Sequence, residues 1–321
     1  MAGNLGTAHI TTRLGPAAIN ISASPECEQL LDAFQANEVE ESVPHLDLKF
    51  VENLPAFESA SFQELSHSQH FRRETEHVWV AQKPRHVQTL SHEPNVSELL
   101  VDTEALKDGA IRARPAVDSI SAWAISQSIF PLHASAVTLG SDALLFVGEG
   151  GRGKTTTALA LAFSGWSLLA DDRCFLTQYE DVMSVCSLYK TAILTPAIVE
   201  RFPDFLGHRL GVTHEGKIAC RLPKTVDFAK SARIRGVIAV SHGSGEEYQL
   251  ERLDSKSTLS AWQQALVPSI QALGPTKEIL STLARAARTL PVWSLTLGWD
   301  FSRIDSTLRR HLDEIRTENY R

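Results

Sequence analysis

LLFVGEGGRGKTTTALALAFSGWSLLADD, residues 144–172, reads as an apolar strand, a glycine-rich loop, a helical run and a second apolar strand that ends in two aspartates. Gly148-Glu149-Gly150-Gly151-Arg152-Gly153-Lys154-Thr155 fits the G-x-x-x-x-G-K-[ST] phosphate-loop pattern at every position. Successive backbone N–H groups and the amino-terminal dipole of the following helix form an anion site, and glycine lets the backbone approach phosphate oxygens closely. In such a loop Lys154 can neutralise β- and γ-phosphates, and the Thr155 hydroxyl can bind Mg²⁺. Arg152 can face the γ-phosphate or solvent. The chain contains neither the Asn-Lys-x-Asp of guanine-binding proteins nor the Leu-Ser-Gly-Gly-Gln of transporter ATPases, which sets aside both of those classes.

Asp171-Asp172 closes the second strand 17 positions after Lys154, an interval that one helix and one turn fill. The pair is expected at the carboxyl end of a strand beside the loop, where α/β sheets bind ligands. One carboxylate can hold Mg²⁺ while the other accepts a proton from an attacking hydroxyl. His133, in Pro-Leu-His-Ala-Ser-Ala-Val fifteen positions before Gly148, is either a structural histidine entering a strand or the partner of a catalytic carboxylate. Lys190, Lys217 and Arg221 can reach phosphate or an acidic substrate, or stay on the surface. Trp166 and Trp293 adjoin predicted strands and read as core.

Working outward, ASAVTL (134–139) and DALLFVG (142–148) read as adjacent strands, 153–164 as a helix closed by Gly165, and 166–170 as a buried strand. Further strands are predicted at 174–177, 234–240 and 292–297, and helices at 196–202, 256–267, 276–289 and 301–315. This alternation gives an α/β catalytic domain over 113–321 that opens with a helix at 113–130. Ahead of it, HLDLKF (45–50), HVWVAQ (77–82), HVQTLS (86–91) and SELLVD (97–102), punctuated by Pro55, Pro84 and Pro94, predict a smaller strand-rich domain over 1–112.

The 321 residues are 43% hydrophobic and 21% charged, with a net charge of −7, which disfavours disorder and broad capture of nucleic acid. Residues 1–100 carry 14 acidic and 6 basic side chains, or −8, and the remaining 24 acidic and 25 basic give +1. An acidic front suggests a separate task, acceptor recognition, for the first domain. Cys27, Cys174, Cys186 and Cys220 show no metal-ligand or disulfide spacing and read as small buried hydrophobes. No apolar run reaches membrane-spanning length and the first twenty residues lack a signal-peptide core, so a cytoplasmic, membrane-free protein is expected.

The run His133-Ala-Ser-Ala-Val, the phosphate loop with its helix, and the Asp171-Asp172 strand end resemble the core of HPr kinase/phosphorylase and its related kinases. The resemblance is close over 131–177 and loose to the carboxyl terminus. It implies a P-loop kinase core of that type, ATP phosphates on Gly148 to Thr156, Mg²⁺ on Thr155 and Asp172, Asp171 as base and His133 as its partner, with the two aspartate roles exchangeable. After the Asp-Asp pair this chain reads SVCSLYKTAILTPAIVERF, without the metal-associated Glu of the bacterial HPr kinases, so the resemblance does not carry HPr, phosphorolysis or a hexamer. It is nearer to divergent kinases of the group that accompany lasso-peptide precursors and phosphorylate a peptide serine. The expectation is an ATP- and Mg²⁺-dependent kinase acting on a hydroxyl of a peptide or small protein. A kinase of a small hydroxylated metabolite and a non-catalytic nucleotide-binding regulator are the alternatives.

Overall fold

The protein was analysed as a computed structural model that describes residues 8–35, 43–54, 62–66, 69–73, 76–243, 248–267, 277–298 and 303–318. Side-chain alternation builds its first sheet. In β3 (His45–Glu52), Leu46, Leu48 and Phe50 are buried while His45 and Lys49 are exposed, the period of two that a half-covered strand requires. The strands before it are β1 (Ala8–Leu14) and β2 (Ala17–Ala23); those after it are β4 (Gln63–Ser66), β5 (Gln69–Arg73), β6 (His77–Gln82), β7 (Arg85–His92) and β8 (Asn95–Val101). They hydrogen-bond in the order β1-β2-β3-β8-β7-β6-β5-β4. Pro84 and Pro94 lie in the turns between β6 and β7 and between β7 and β8; Pro55 lies outside the described residues. β1 and β2 escape prediction because β1, AHITTRL, buries only Thr12 and Leu14, and the alternation in β2 is confined to Ile19 through Ala23.

Two short helices follow, α1 (Gly109–Ala113) and α2 (Val117–Ser126). The predicted helix at 113–130 therefore forms as the shorter α2, and it stays with the strands before it. Gln88 of β7 accepts hydrogen bonds at Oε1 from the backbone N–H of Asp118 and Ser119, both at 3.0 Å, which satisfies a helix start that its own N-cap residue, Ala116, leaves open.

The chain then enters a second unit with β9 (Phe130–Leu132), β10 (Ser135–Leu139), β11 (Asp142–Val147), α3 (Lys154–Phe163), β12 (Ser167–Ala170), β13 (Cys174–Tyr179) and β14 (Val182–Cys186). It returns to the first unit for β15 (Thr191–Leu194), α4 (Pro196–Arg201), β16 (His208–Val212) and β17 (Ile218–Arg221), a small sheet ordered β15-β17-β16. That sheet is tied to α1: the Thr191 hydroxyl donates to Ala113 O at 2.7 Å, and Arg112 donates to Leu210 O. The last elements, β18 (Ser231–His242), β19 (Gln249–Arg252), α5 (Ser255–Gln264), α6 (Lys277–Thr289), β20 (Val292–Leu297) and α7 (Ile304–Glu318), complete the second unit. The first residues of the helices predicted at 276–289 and 301–315 lie outside the described residues.

By packing, the first unit takes the described residues up to Ser128 together with Leu188–Leu222, and the second takes Ile129–Ser187, Pro223–Val267 and the described residues beyond. This grouping differs from a single division near residue 112, because a linear reading cannot anticipate that 188–222 pairs back onto α1. The second unit's sheet runs β12-β10-β11-β18-β14-β13-β9, with β20 also on β18 and β19 on β20, so it is mixed rather than purely parallel. Among the described residues no helix is long and apolar enough to cross a membrane. All four cysteines are buried free thiols.

Asp142, the first residue of β11, fastens the last helix to this sheet. Its carboxylate accepts from Arg235 Nε of β18 at 2.6 Å and from Arg316 Nε of α7 at 2.7 Å, and Arg316 also donates to Leu139 O. Burial alone would push the Asp142 carboxyl up, but the two guanidiniums outweigh it and hold the group below the usual aspartate range. Asp142→Ala leaves Arg235, 14% exposed, without its counter-charge, and the expected loss is about 3 kcal/mol in denaturant unfolding near neutral pH. Because the folded value is the lower one, this contribution is present above the ordinary aspartate range and fades as pH falls through it, so variant and parent converge in acid.

Candidate active site

Strand direction gathers the predicted residues of the second unit. β10 is antiparallel to β11, with Ser135 opposite Phe146, and antiparallel to β12, with Ala136 opposite Ala170. The start of β10 therefore lies beside the ends of both neighbours. His133 and Ser135 come from that start, the phosphate loop from the end of β11, and Asp171 and Asp172 from the end of β12.

Gly148, Gly151 and Gly153 of the loop all hold a positive φ, and two of them also meet close neighbours. Gly153 has φ +97°, and a Cβ there would lie 2.5 Å from Leu297 Cδ1 and 3.5 Å from His242 Cε1. Gly148 has φ +135°, and its Cβ would lie 3.1 Å from Val240 O. Gly150 and Gly151 are exposed with open space around them. Arg152, half exposed, pairs with Glu149 at 2.9 Å, and Thr156 sits half-buried in the first turn of α3.

Lys154 is only 6% exposed, and its Nζ donates to Gly148 O at 2.6 Å and Glu149 O at 3.1 Å. Burial pulls its ammonium below the ordinary lysine range, with Asp172 and Asp171 opposing that shift. The Thr155 hydroxyl donates to Asp171 Oδ1 at 2.6 Å, and His133 Nε2 lies 2.6 Å from Asp172 Oδ1. These partners are the exchange of the pairing that the family resemblance implies. Asp172 has φ +64°, and Arg173 N donates to Asp171 O at 2.8 Å across it, so the pair bends in the strained form of a γ-turn. Such a conformation costs on the order of 1–3 kcal/mol. It gives adjacent residues different partners: one carboxylate on the loop's threonine, the other on the histidine.

Three neighbours are not singled out as site residues by the sequence, although Ser135 lies within the His133-Ala-Ser-Ala-Val run. Ser135 Oγ lies 3.5 Å from Asp171 Oδ1 and accepts from Asp172 N at 3.4 Å. Arg173 Nη1 donates to Asp172 Oδ2 at 3.3 Å. His242, the last residue of β18, reaches Gly151 O at 2.8 Å through Nε2. Only the position of Arg173, next to the aspartates, could have marked it in the sequence.

The other candidates have partners of their own. Lys217 pairs with Glu215 at 2.6 Å and Arg221 with Asp32 at 3.3 Å. Both belong to the first unit, as does Lys190, whose backbone N–H bonds Ala33 O. Trp166 is buried with its indole N–H on Asp305 at 2.7 Å, and Trp293 is buried edge-on to His311, so both are packing residues.

No protein-family model matches the chain, and no curated protein matches it by sequence. Among solved structures it is similar to the Hpr(Ser) kinase/phosphatase from Coxiella burnetii, with a TM-score of 0.32 and 14% identity over 58% of this chain and 98% of that one.

Gly153→Ala meets both the positive φ and the Leu297 side chain. The expected result is a loss of about 1–3 kcal/mol in thermal or denaturant unfolding, with disordering of the loop. Adding Leu297→Ala removes the collision but leaves the φ, so it restores only part of that loss.

Proposed function

We propose that this chain is an ATP- and Mg²⁺-dependent kinase that moves the γ-phosphoryl group onto a hydroxyl, that of a serine in a peptide or small protein. The observation that carries the reading is the division of the two aspartates, Asp171 on Thr155 and Asp172 on His133, beside a complete phosphate loop. A protein that only binds nucleotide has no use for the second pair. The serine acceptor rests on the resemblance of residues 131–177 to peptide- and protein-directed kinases.

The oxygen pair Thr155 Oγ1 and Asp171 Oδ1 matches the hard-ligand preference of Mg²⁺, so in this reading these two residues would hold the ion. When bound, Mg²⁺ neutralises phosphate oxygens and withdraws charge from the leaving group. Lys154 would exchange its loop carbonyl partners for β- and γ-phosphate oxygens. Asp172 would take the proton of the acceptor hydroxyl as that oxygen attacks the γ-phosphorus, while the bond from the γ-phosphorus to the β,γ-bridging oxygen breaks and ADP leaves. His133 and Arg173 keep the Asp172 carboxylate aimed, which makes them positioning residues. Acceleration then comes from positioning and charge neutralisation rather than covalent catalysis.

Lys154→Ala is expected to fold and to lose phosphoryl transfer from γ-labelled ATP to peptide acceptors; full turnover by the folded variant would refute the reading. Asp171→Asn should weaken Mg²⁺-dependent nucleotide binding, whereas Asp172→Asn should spare binding and slow the chemical step by about 10²- to 10⁴-fold. Calorimetric titration with Mg·ATP beside single-turnover rates separates the two. Nucleotide affinity should also fall as pH rises, starting below the ordinary lysine range. The Lys154 value of the free protein is depressed, and only its charged form attracts phosphate.

A further inference from the structure

Between β19, β20 and α7 the second unit holds a groove of about 520 Å³ that the proposed chemistry does not use. Its lining is mostly polar: Leu250 and the buried Trp293 supply apolar patches, and Arg252, Arg310, His311 and Glu314 supply charged or titratable groups. Glu314 lies 3.6 Å from His311, and its single negative charge stands against two arginines. Other arginines of α7 are matched: Arg309 to Asp305 at 2.6 Å, and Arg316 to Asp142 and Asp313. Arg252 and Arg310, both exposed, have no hydrogen-bond or ion-pair partner among the described residues. In a chain with a net charge of −7, two unmatched arginines facing one groove are a local positive site.

The wall of the groove adds direction. β19 pairs antiparallel with β20 and with no other strand among the described residues, so its outer edge keeps unpaired backbone donors and acceptors. Gln249 stands opposite Thr296, which puts Tyr248 at the end of the groove that faces Leu297. Leu297 in turn packs against Gly153 of the phosphate loop. The edge thus starts beside the loop and runs away from it.

We infer that this groove docks an extended acidic segment of the phosphate acceptor, which adds as a strand to β19, sets apolar side chains over Leu250 and Trp293, and meets Arg252 and Arg310 with its carboxylates. The inference rests on the kinase reading for its purpose, holding the acceptor chain next to the loop, and on the groove alone for its chemistry.

The test uses the full chain without nucleotide at low ionic strength, where exposed charges are least screened. Fluorescence anisotropy compares a labelled peptide alternating Glu with Val and one alternating Lys with Val. The Glu peptide should bind at least about tenfold tighter, and Arg252→Glu with Arg310→Glu should reverse that order. Equal affinity of the two peptides for the parent protein overturns the inference without any variant, and so does a preference that survives the double reversal. A dimer of the parent chain that dissociates on Arg252→Glu would assign the groove to a second copy and also overturn it. Mg·ATP binding is measured on the same proteins by calorimetry. Peptide preference without nucleotide binding would sink the kinase reading and leave the docking site, whereas nucleotide binding without peptide preference would do the reverse.

Discussion

Because β10 runs antiparallel to both β11 and β12, its first residues meet the last residues of two strands that lie on either side of it. The contacts of His133 and Ser135 with the two aspartates follow from that pairing. A parallel β10 would carry His133 and Ser135 to the opposite edge of the sheet, away from the loop and the aspartates. The register matters as much as the direction, since successive residues of a strand point to opposite faces. Ser135 is placed within reach of Asp171 and of the Asp172 backbone, while His133, just before the strand, meets the Asp172 carboxylate.

Around this junction the structure holds several arrangements that are unfavourable in isolation. Lys154 is buried with only backbone carbonyls and nearby carboxylates to offset lost hydration. Gly148 and Gly153 hold backbone angles that a side chain would resist, and Asp172, which is not glycine, holds one too. Such features persist where surrounding packing over-determines them. Here the packing is supplied by the strands beyond the loop: Val240 and His242 of β18 and Leu297 of β20 close around its glycines. The Asp142 cluster secures the other end of β11, so the strand that carries the loop is anchored at both ends.

The first unit illustrates a different constraint. Its eight-stranded sheet and the small β15-β17-β16 sheet come from segments separated by the β9–β14 region, and α1 bonds to the later one. Local composition marked β3, β6, β7 and β8, which are rich in β-branched and aromatic residues. It missed β1, where only Thr12 and Leu14 are buried, β2, whose alternation covers just Ile19 to Ala23, and the four- or five-residue strands β4, β5 and β15 to β17. Short strands are specified by their partners more than by their own composition.

The glycine-rich turn between β11 and α3, the helix closed by Gly165 and the Asp171-Asp172 strand end were legible in the amino-acid sequence alone, because each depends on residues close together in the chain. Glycines where side chains are excluded, a lysine and a threonine at the helix start, and an apolar strand on either side are local requirements of anion binding. Tertiary structure alone decided which aspartate stands on Thr155 and which on His133. A γ-turn at Asp172 and the register of β10 set that choice, and neither leaves a signature in residue type. The same holds for His242 on the loop and for Arg252 and Arg310, which have no partner among the described residues. Their surroundings are assembled from strands and helices far apart in the sequence, so spacing along the chain carries no record of them.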